Sequence, residues 1–143
     1  MSFVVETAKA DDRDAVVALW QVCGLVVSYN DPHADFDLAI GGASSTVLVA
    51  RDDQRTIIGA LMVGHDGHRG WLYYVGSDPA LQRTGIGRRL VSAAEDWLGQ
   101  RGIPKVQLMV RQSNTKVFSF YEKLGYDETP RVVMAKWLKE PGT

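Results

Sequence analysis

The segment Gln82-Arg83-Thr84-Gly85-Ile86-Gly87 most constrains what this chain of 143 residues can fold into. It follows an apolar, strand-like run from Trp71 to Ser77 and a break at Pro79. It leads directly into a helical pattern with apolar residues at Ile86, Leu90, Ala93, Ala94, Trp97 and Leu98. A strand, a glycine-bearing loop and a helix start in that order make a ready anion site. Gly85 and Gly87 let the backbone come close to a ligand, while amide N–H groups and the positive end of the helix dipole face it. The expected ligand is a phosphate or a pyrophosphate.

The rest of the chain alternates strands and helices. Phe3 to Thr7 reads as a first strand. Asp11, with Asp14 three residues on, reads as a capped helix start, and Val16, Leu19, Trp20 and Cys23 form that helix's apolar face, closed by Gly24. Ser28 to Pro32 is turn chemistry, followed by a short helix around Ala34 to Ile40. Thr46 to Arg51 and Thr56 to Gly64 read as a hairpin across Asp52-Asp53-Gln54, and Asp66-Gly67 turns the second strand towards Trp71. After the long helix come a strand from Lys105 to Val110, a helix from Asn114 to Leu124 closed by Gly125, and a last strand from Arg131 to Leu138. This order predicts a mixed α/β chain, a sheet with helices packed on its faces.

Size and composition narrow the classes. A chain this long is one domain in size, residues 1–143, and can bury roughly two-thirds of its unfolded surface. Net charge −1 and a pI near 6.3 give no electrostatic footprint for nucleic acid or an anionic membrane. The longest mostly apolar stretch, Ala15 to Val27, is too short to span a bilayer, and the N-terminus carries no signal-like segment. A single cysteine, Cys23, excludes an internal disulfide and suits a reducing cytoplasm. Only the tail from Lys139 to Thr143 reads as frayed.

A second motif sharpens the first. About thirty residues beyond the glycine loop, Asn114 opens a helical stretch that ends in Tyr121-Glu122-Lys123-Leu124-Gly125-Tyr126. Together the two elements, from Val75 to Tyr126, resemble the Gcn5-related N-acetyltransferase (GNAT) superfamily. The resemblance implies a mostly antiparallel central sheet, splayed between the strands at Trp71–Ser77 and Lys105–Val110, with helices on both faces and the acyl-donor arm in the splay. It implies acetyl-CoA as co-substrate and direct acyl transfer to an amine. The backbone from Gln82 through Arg83, Thr84, Gly85 and Ile86 to Gly87 would hold the pyrophosphate, with Arg83 or Arg88 adding charge. Arg83, Arg88 and Arg89 read equally well as a solvated helix face. By the same resemblance, Val75 and Ser77 offer backbone groups to the pantetheine and acetyl carbonyl. Asn114 lies near the pantetheine arm, and Tyr121 protonates the departing thiolate. On its own, Tyr121 fits an apolar helix face with Val117, Phe118 and Leu124, and Asn114 fits a helix N-cap.

The base for the incoming amine is where the sequence departs from many relatives. They often carry a glutamate on the strand before the loop, whereas Trp71-Leu72-Tyr73-Tyr74-Val75-Gly76-Ser77 holds no carboxylate. Asp78, His65, Asp66 and His68 are the polar groups nearby. An α-amine with a pKa near 8 is on the order of one-tenth neutral at pH 7, and a lysine amine less than about one part in a thousand. A weak base therefore leans towards acidic amines. His65-Asp66-x-His68 lacks a fourth ligand nearby, so no metal is assigned. Cys23 reads as a small buried hydrophobe. Of the aromatic residues Trp20, Tyr29, Trp71 and Tyr73, the loop and sheet-mouth positions Tyr29 and Tyr73 suit an acceptor pocket best.

Asn30-Asp31-Pro32 and Gly64 to Gly70 are similar to a YpeA-like bacterial branch, which implies no particular acceptor. The partners expected are a small-molecule amine or a peptide N-terminus, with neither nucleic acid nor membrane, and the superfamily resemblance allows a homodimer. Two other readings remain: a ribosomal-protein-type N-terminal acetyltransferase, and a GNAT-like domain that binds acyl-CoA as a sensor without turnover. A dinucleotide-binding domain is disfavoured, because no Gly-x-Gly-x-x-Gly follows the first strand.

Overall fold

The computed structural model describes residues Met1–Pro141; of the tail expected to fray, Gly142 and Thr143 lie outside the described residues. Two compact units make up the chain, Met1–Gln107 and the segment from Leu108 onward. The first holds a five-stranded sheet in the order β1(Phe3–Thr7), β2(Ser45–Asp52), β3(Ile57–His65), β4(Gly70–Ser77) and β5(Val106–Gln107). The three ladders from β1 to β4 are antiparallel, and β5 pairs with β4 in parallel.

Local chemistry sets the turns. In the β2–β3 hairpin, the Asp52 carboxylate accepts the N–H groups of Gln54 and Thr56 at 3.0 and 2.9 Å. In the β3–β4 hairpin, Asp66 accepts those of His68 and Arg69 at 2.9 and 2.8 Å. The two faces of the sheet follow from the alternation of each strand. On one face Val47, Val49, Ala60 and Met62 pack with α1(Arg13–Val22) and α2(Pro32–Gly41) around the fully buried Trp20 and Phe36. The other face meets α3(Ile86–Gln100), whose 3.6-residue stripe of Ile86, Leu90, Val91, Ala94 and Leu98 is buried. Gly59 and Gly70 let this helix approach. A Cβ at Gly59 would lie 2.6 Å from Ile86 Cγ2, and one at Gly70 would lie 2.5 Å from Leu98 Cδ1.

Several expectations need correction. The first helix starts at Arg13 rather than at Asp11, after a short 3-10 turn over Ala10–Asp12 in which the Asp12 carboxylate accepts the Lys9 N–H at 2.8 Å. Cys23 closes α1 as its C-cap and packs against the core, but it is only partly buried. The second helix begins at Pro32, because Asp31 caps it through the N–H groups of His33 and Ala34. The strand expected over Lys105–Val110 contracts to Val106–Gln107. Arg131–Leu138 is not a strand: it is irregular, with Val132, Met134 and Leu138 88%, 91% and 95% exposed. β-branched composition favours a strand only where a neighbouring strand and a buried face exist to receive it.

The second unit contributes α4(Thr115–Lys123). Its end is a double hydrogen-bond cap, with the Gly125 N–H on the Glu122 carbonyl and the Tyr126 N–H on that of Tyr121, both 3.0 Å. Gly125 has φ +92°, the left-handed conformation this closure requires. No described helix is long and apolar enough to cross a membrane.

Candidate active site

The loop before α3 has a backbone suited to an anion. Asp78 caps a 3-10 turn over Pro79–Leu81 by accepting the Ala80 N–H at 2.9 Å, so its carboxylate is engaged in the turn. The Thr84 hydroxyl donates to the Leu81 carbonyl at 2.6 Å. Arg83 and Gly85 both take left-handed conformations, φ +65° and +84°. A Cβ on Gly85 would meet nothing within 4 Å, so conformation rather than space favours glycine there. The first bond of the α3 ladder runs from the Arg89 N–H to the Gly85 carbonyl at 3.0 Å, and the amides of Ile86, Gly87 and Arg88 precede it. Alternating backbone hands just before a helix N-terminus gather N–H groups into a concavity for negative oxygen. Gln82, Arg83, Thr84 and Gly85 are exposed around it. Arg89 lies over the Phe3 ring, 4.9 Å from its centroid, while Arg83 and Arg88 remain exposed.

Just upstream, β4 is bulged. Ala60 pairs with Gly76 and Met62 with Tyr73, so Tyr74 and Val75 together face the single residue Leu61. Tyr74 has φ +54°, a conformation that costs a bulky residue on the order of 1–3 kcal/mol. The bulge takes the Val75 backbone out of the regular ladder. On the other edge, the β4–β5 ladder consists of Gly70 with Val106 and Trp71 with Gln107, while β4 runs on to Ser77. The Ser77 carbonyl accepts the Cys23 thiol at 3.1 Å. Burial, helped by the Asp78 charge, raises the Cys23 pKa, so this cysteine is a poor nucleophile.

Asn114 and Tyr121 share α4. The Asn114 side chain accepts the Val117 N–H at 3.3 Å, making it the N-cap. Two turns along, Tyr121 is 7% exposed, and burial pushes its phenol up to about 12. It therefore keeps its proton at neutral pH. Its ring meets Tyr126 edge-on at 5.5 Å, the apolar contact that accompanies the helix's double cap. The Tyr121-to-Tyr126 spacing thus has a structural cause of its own.

His65, Asp66 and His68 serve the turn. The His65 ring Nδ1 accepts the Gly67 N–H at 3.2 Å, and backbone N–H groups of Arg69 and His68 hold the Asp66 carboxyl below its usual range. Among the described residues no three His, Cys, Asp or Glu side chains converge as a metal site.

A cavity of about 340 Å³ opens in the first unit, lined by Asn30, Asp35, Leu38, Met62, Tyr73 and Tyr74, with Ala39 and Ser45 completing it. Tyr73 was expected here; Tyr29 is half-exposed, and Trp20 is core. Asp35 and Tyr74 are additions that sequence reasoning missed. The Tyr74 hydroxyl donates to Asp35 Oδ2 at 2.6 Å, and its ring stacks on Trp20 at 4.3 Å and 15°. Burial, then the Asp35 hydrogen bond and charge, raise the Tyr74 pKa far beyond neutrality, so this phenol is a donor only. One signal was available: Asp35, Leu38 and Ala39 share a helix face on which the aspartate is the odd residue.

A model of the acetyltransferase (GNAT) family matches residues 10–126. An acetyltransferase of Pectobacterium atrosepticum is 39% identical over 132 residues, 92% of this chain and 93% of the relative. Among solved structures, AAC(6')-Iy in complex with the bisubstrate analog CoA-S-monomethyl-acetylneamine superposes with a TM-score of 0.82 at 17% identity, over 96% of this chain and 99% of that one. The aminoglycoside antibiotic 6'-N-acetyltransferase AAC(6')-Ih from Acinetobacter baumannii gives 0.80 at 23% identity, over 95% and 98%. The two structures establish the fold. The sequence matches, which run through the glycine loop and the Asn114–Tyr126 element, place the chain in the acetyltransferase (GNAT) family.

Proposed function

We propose that the whole chain acts as one acetyl-CoA-dependent N-acetyltransferase that passes the acetyl group directly to a primary amine. The observation that carries this reading is the loop from Gln82 to Gly87, where left-handed Arg83 and Gly85 turn the backbone into the start of α3. An exposed N–H concavity with two arginines beside it fits a pyrophosphate. Acetyl-CoA would supply an activated thioester and leave as the free thiol. The chain's own groups do the rest. Gln82 to Arg88 grip the phosphates, the bulged backbone at Val75 and the strand end at Ser77 orient the acyl arm, Asn114 helps hold it, and Tyr121 gives its proton to the departing sulfur. The CoA-linked analog bound by one structural neighbour supports this choice of donor. A lone cysteine with a raised pKa fits direct transfer better than a covalent acyl-cysteine, and a reducing cytoplasm is a suitable setting.

The first test is thermal stability with and without excess acetyl-CoA, with NAD as control. Ligand at about a hundred times its dissociation constant adds roughly 2.7 kcal/mol, a rise of several degrees for a domain of this size. Acetyl-CoA alone should raise the midpoint, and a panel of amines should then yield CoA and acetylated product. No shift with acetyl-CoA overturns the reading. The absence of a carboxylate in β4 favours a second reading, a sensor that binds acyl-CoA without turnover; tight binding with no product on any amine or peptide N-terminus would establish it.

A further inference from the structure

The cavity beneath Tyr73 and Tyr74 has a chemistry that limits the acceptor. Asp35 is its one charged side chain, and no Lys, Arg or His lines it. The carboxylate is also held in place. Tyr74 donates to one of its oxygens at 2.6 Å, and Tyr74 is fixed in turn by stacking on fully buried Trp20 and by its place in the β4 bulge. A carboxylate can accept several hydrogen bonds, so the Tyr74 hydroxyl does not exhaust it. Asp31, which lies close enough to act on Tyr74, adds a second negative charge from the start of α2. An anionic ligand would therefore meet uncompensated repulsion, and a cationic one would be held by a charge-assisted bond.

The remaining walls are apolar. Met62, the Tyr74 ring and Ala39 form the inside, while Leu38 and Tyr73 stand 78% and 44% exposed. Exposed apolar groups around a cavity call for a ligand with an apolar body, and aromatic faces also attract an ammonium. A volume of about 340 Å³ is at the small end for ligand sites, enough for one small molecule or one residue of a peptide.

Resting on the acetyltransferase reading, we propose that this cavity receives the acceptor, and that the acceptor is a cationic amine on an apolar skeleton with no carboxylate beside the nitrogen. Asp35 binds the ammonium, and Tyr74 positions Asp35. Before transfer the ammonium loses one proton to solvent. Its freed lone pair attacks the acyl carbon as the carbon–sulfur bond breaks, and the second proton lost from nitrogen balances the one taken up by the departing thiolate. The site thus separates simple amines from the free amino acids of the same skeleton. An α-carboxylate would enter a pocket that has a negative charge and no cation to answer it.

Two matched pairs test this: tyramine against tyrosine, and cadaverine against lysine, with binding to the full chain measured by calorimetry and acetyl transfer by CoA release. Tyramine and cadaverine should bind at least about tenfold more tightly than their amino acids. Asp35→Asn, which keeps the shape and an acceptor for Tyr74, should abolish that preference. Tyr74→Phe should retain it, because the carboxylate remains; a merely structural Asp35–Tyr74 contact would make the two variants alike. Equal or reversed preference, no binding of either amine, or an unchanged preference in Asp35→Asn overturns the proposal. The acetyl-CoA arm separates the two claims. If acetyl-CoA binds and tyrosine is preferred, only the acceptor inference falls. If tyramine binds and acetyl-CoA does not, the pocket stands and the acetyltransferase reading of this site falls.

Discussion

A phenol serves as an acid only while it keeps its proton, and burial secures that for Tyr121. With its pKa pushed up to about 12, it remains neutral across the range in which enzymes are assayed, so it adds no basic limb to a pH–rate profile below about pH 11. Tyr121→Phe keeps the edge-on contacts with Phe120 and Tyr126 and removes only the hydroxyl. If the phenol protonates the leaving sulfur, kcat should fall about a hundredfold while KM for acetyl-CoA barely changes. The thermal midpoint should move by no more than a few degrees. Steady-state kinetics with unaltered kcat would return Tyr121 to its other role, the apolar partner that closes α4. The place of Tyr121 on α4 was legible because its spacing from Asn114 and Gly125 is local. Asp35 was not, since the bond that gives it meaning reaches 39 residues along the chain to Tyr74.

At the scale of elements, α3 is the part that would link stability to the proposed donor site. Its first residue, Ile86, belongs to the loop proposed to hold phosphate and packs on Gly59; its last turns pack on Gly70 through Leu98. Gly59→Ala forces a methyl against the stiff Cγ2 of Ile86, at a cost of about 1–3 kcal/mol, and it strains the loop. Gly70→Ala presses on Leu98 at the far end of the helix. Both variants should melt earlier than the native chain. Only Gly59→Ala should also weaken acetyl-CoA binding, seen as a smaller ligand-induced rise in midpoint; equal loss in both variants would separate the loop from the packing at Gly59. The periodic helix was readable because each buried residue of its stripe sits on one face. The β4 bulge was not, because a period-two pattern does not say where two residues will oppose one. Arg131–Leu138 failed for a related reason. Val132, Val133 and Met134 have strand composition, but a strand is made by its neighbours.

For the molecule as a whole, acid sensitivity should follow one buried cation. Arg51 of β2, 8% exposed, bonds Glu6 of β1 and Asp12 of the turn before α1, and Arg55 of the β2–β3 hairpin joins at Glu6, so the network ties separate parts of the chain together. Hydrogen bonds from Arg51 and then Arg55 hold the Glu6 carboxyl below its usual range. Burial alone would raise Asp12, but the Arg51 bond and the Lys9 amide outweigh it and leave that carboxyl low as well. A carboxyl whose folded pKa lies below its unfolded value, near about 4, stabilises the fold above that value. The contribution disappears as pH falls through the lowered folded pKa. Arg51→Met keeps the apolar stem and removes the charge, which leaves the Lys9 amide as the main group opposing the burial penalty on Asp12. The gap in thermal midpoint between native and variant should therefore be widest near about pH 7 and close towards about pH 3. Melting curves across that interval decide the matter. A gap that stays constant with pH would mean that the Arg51 stem, through packing, does what is here assigned to its charge.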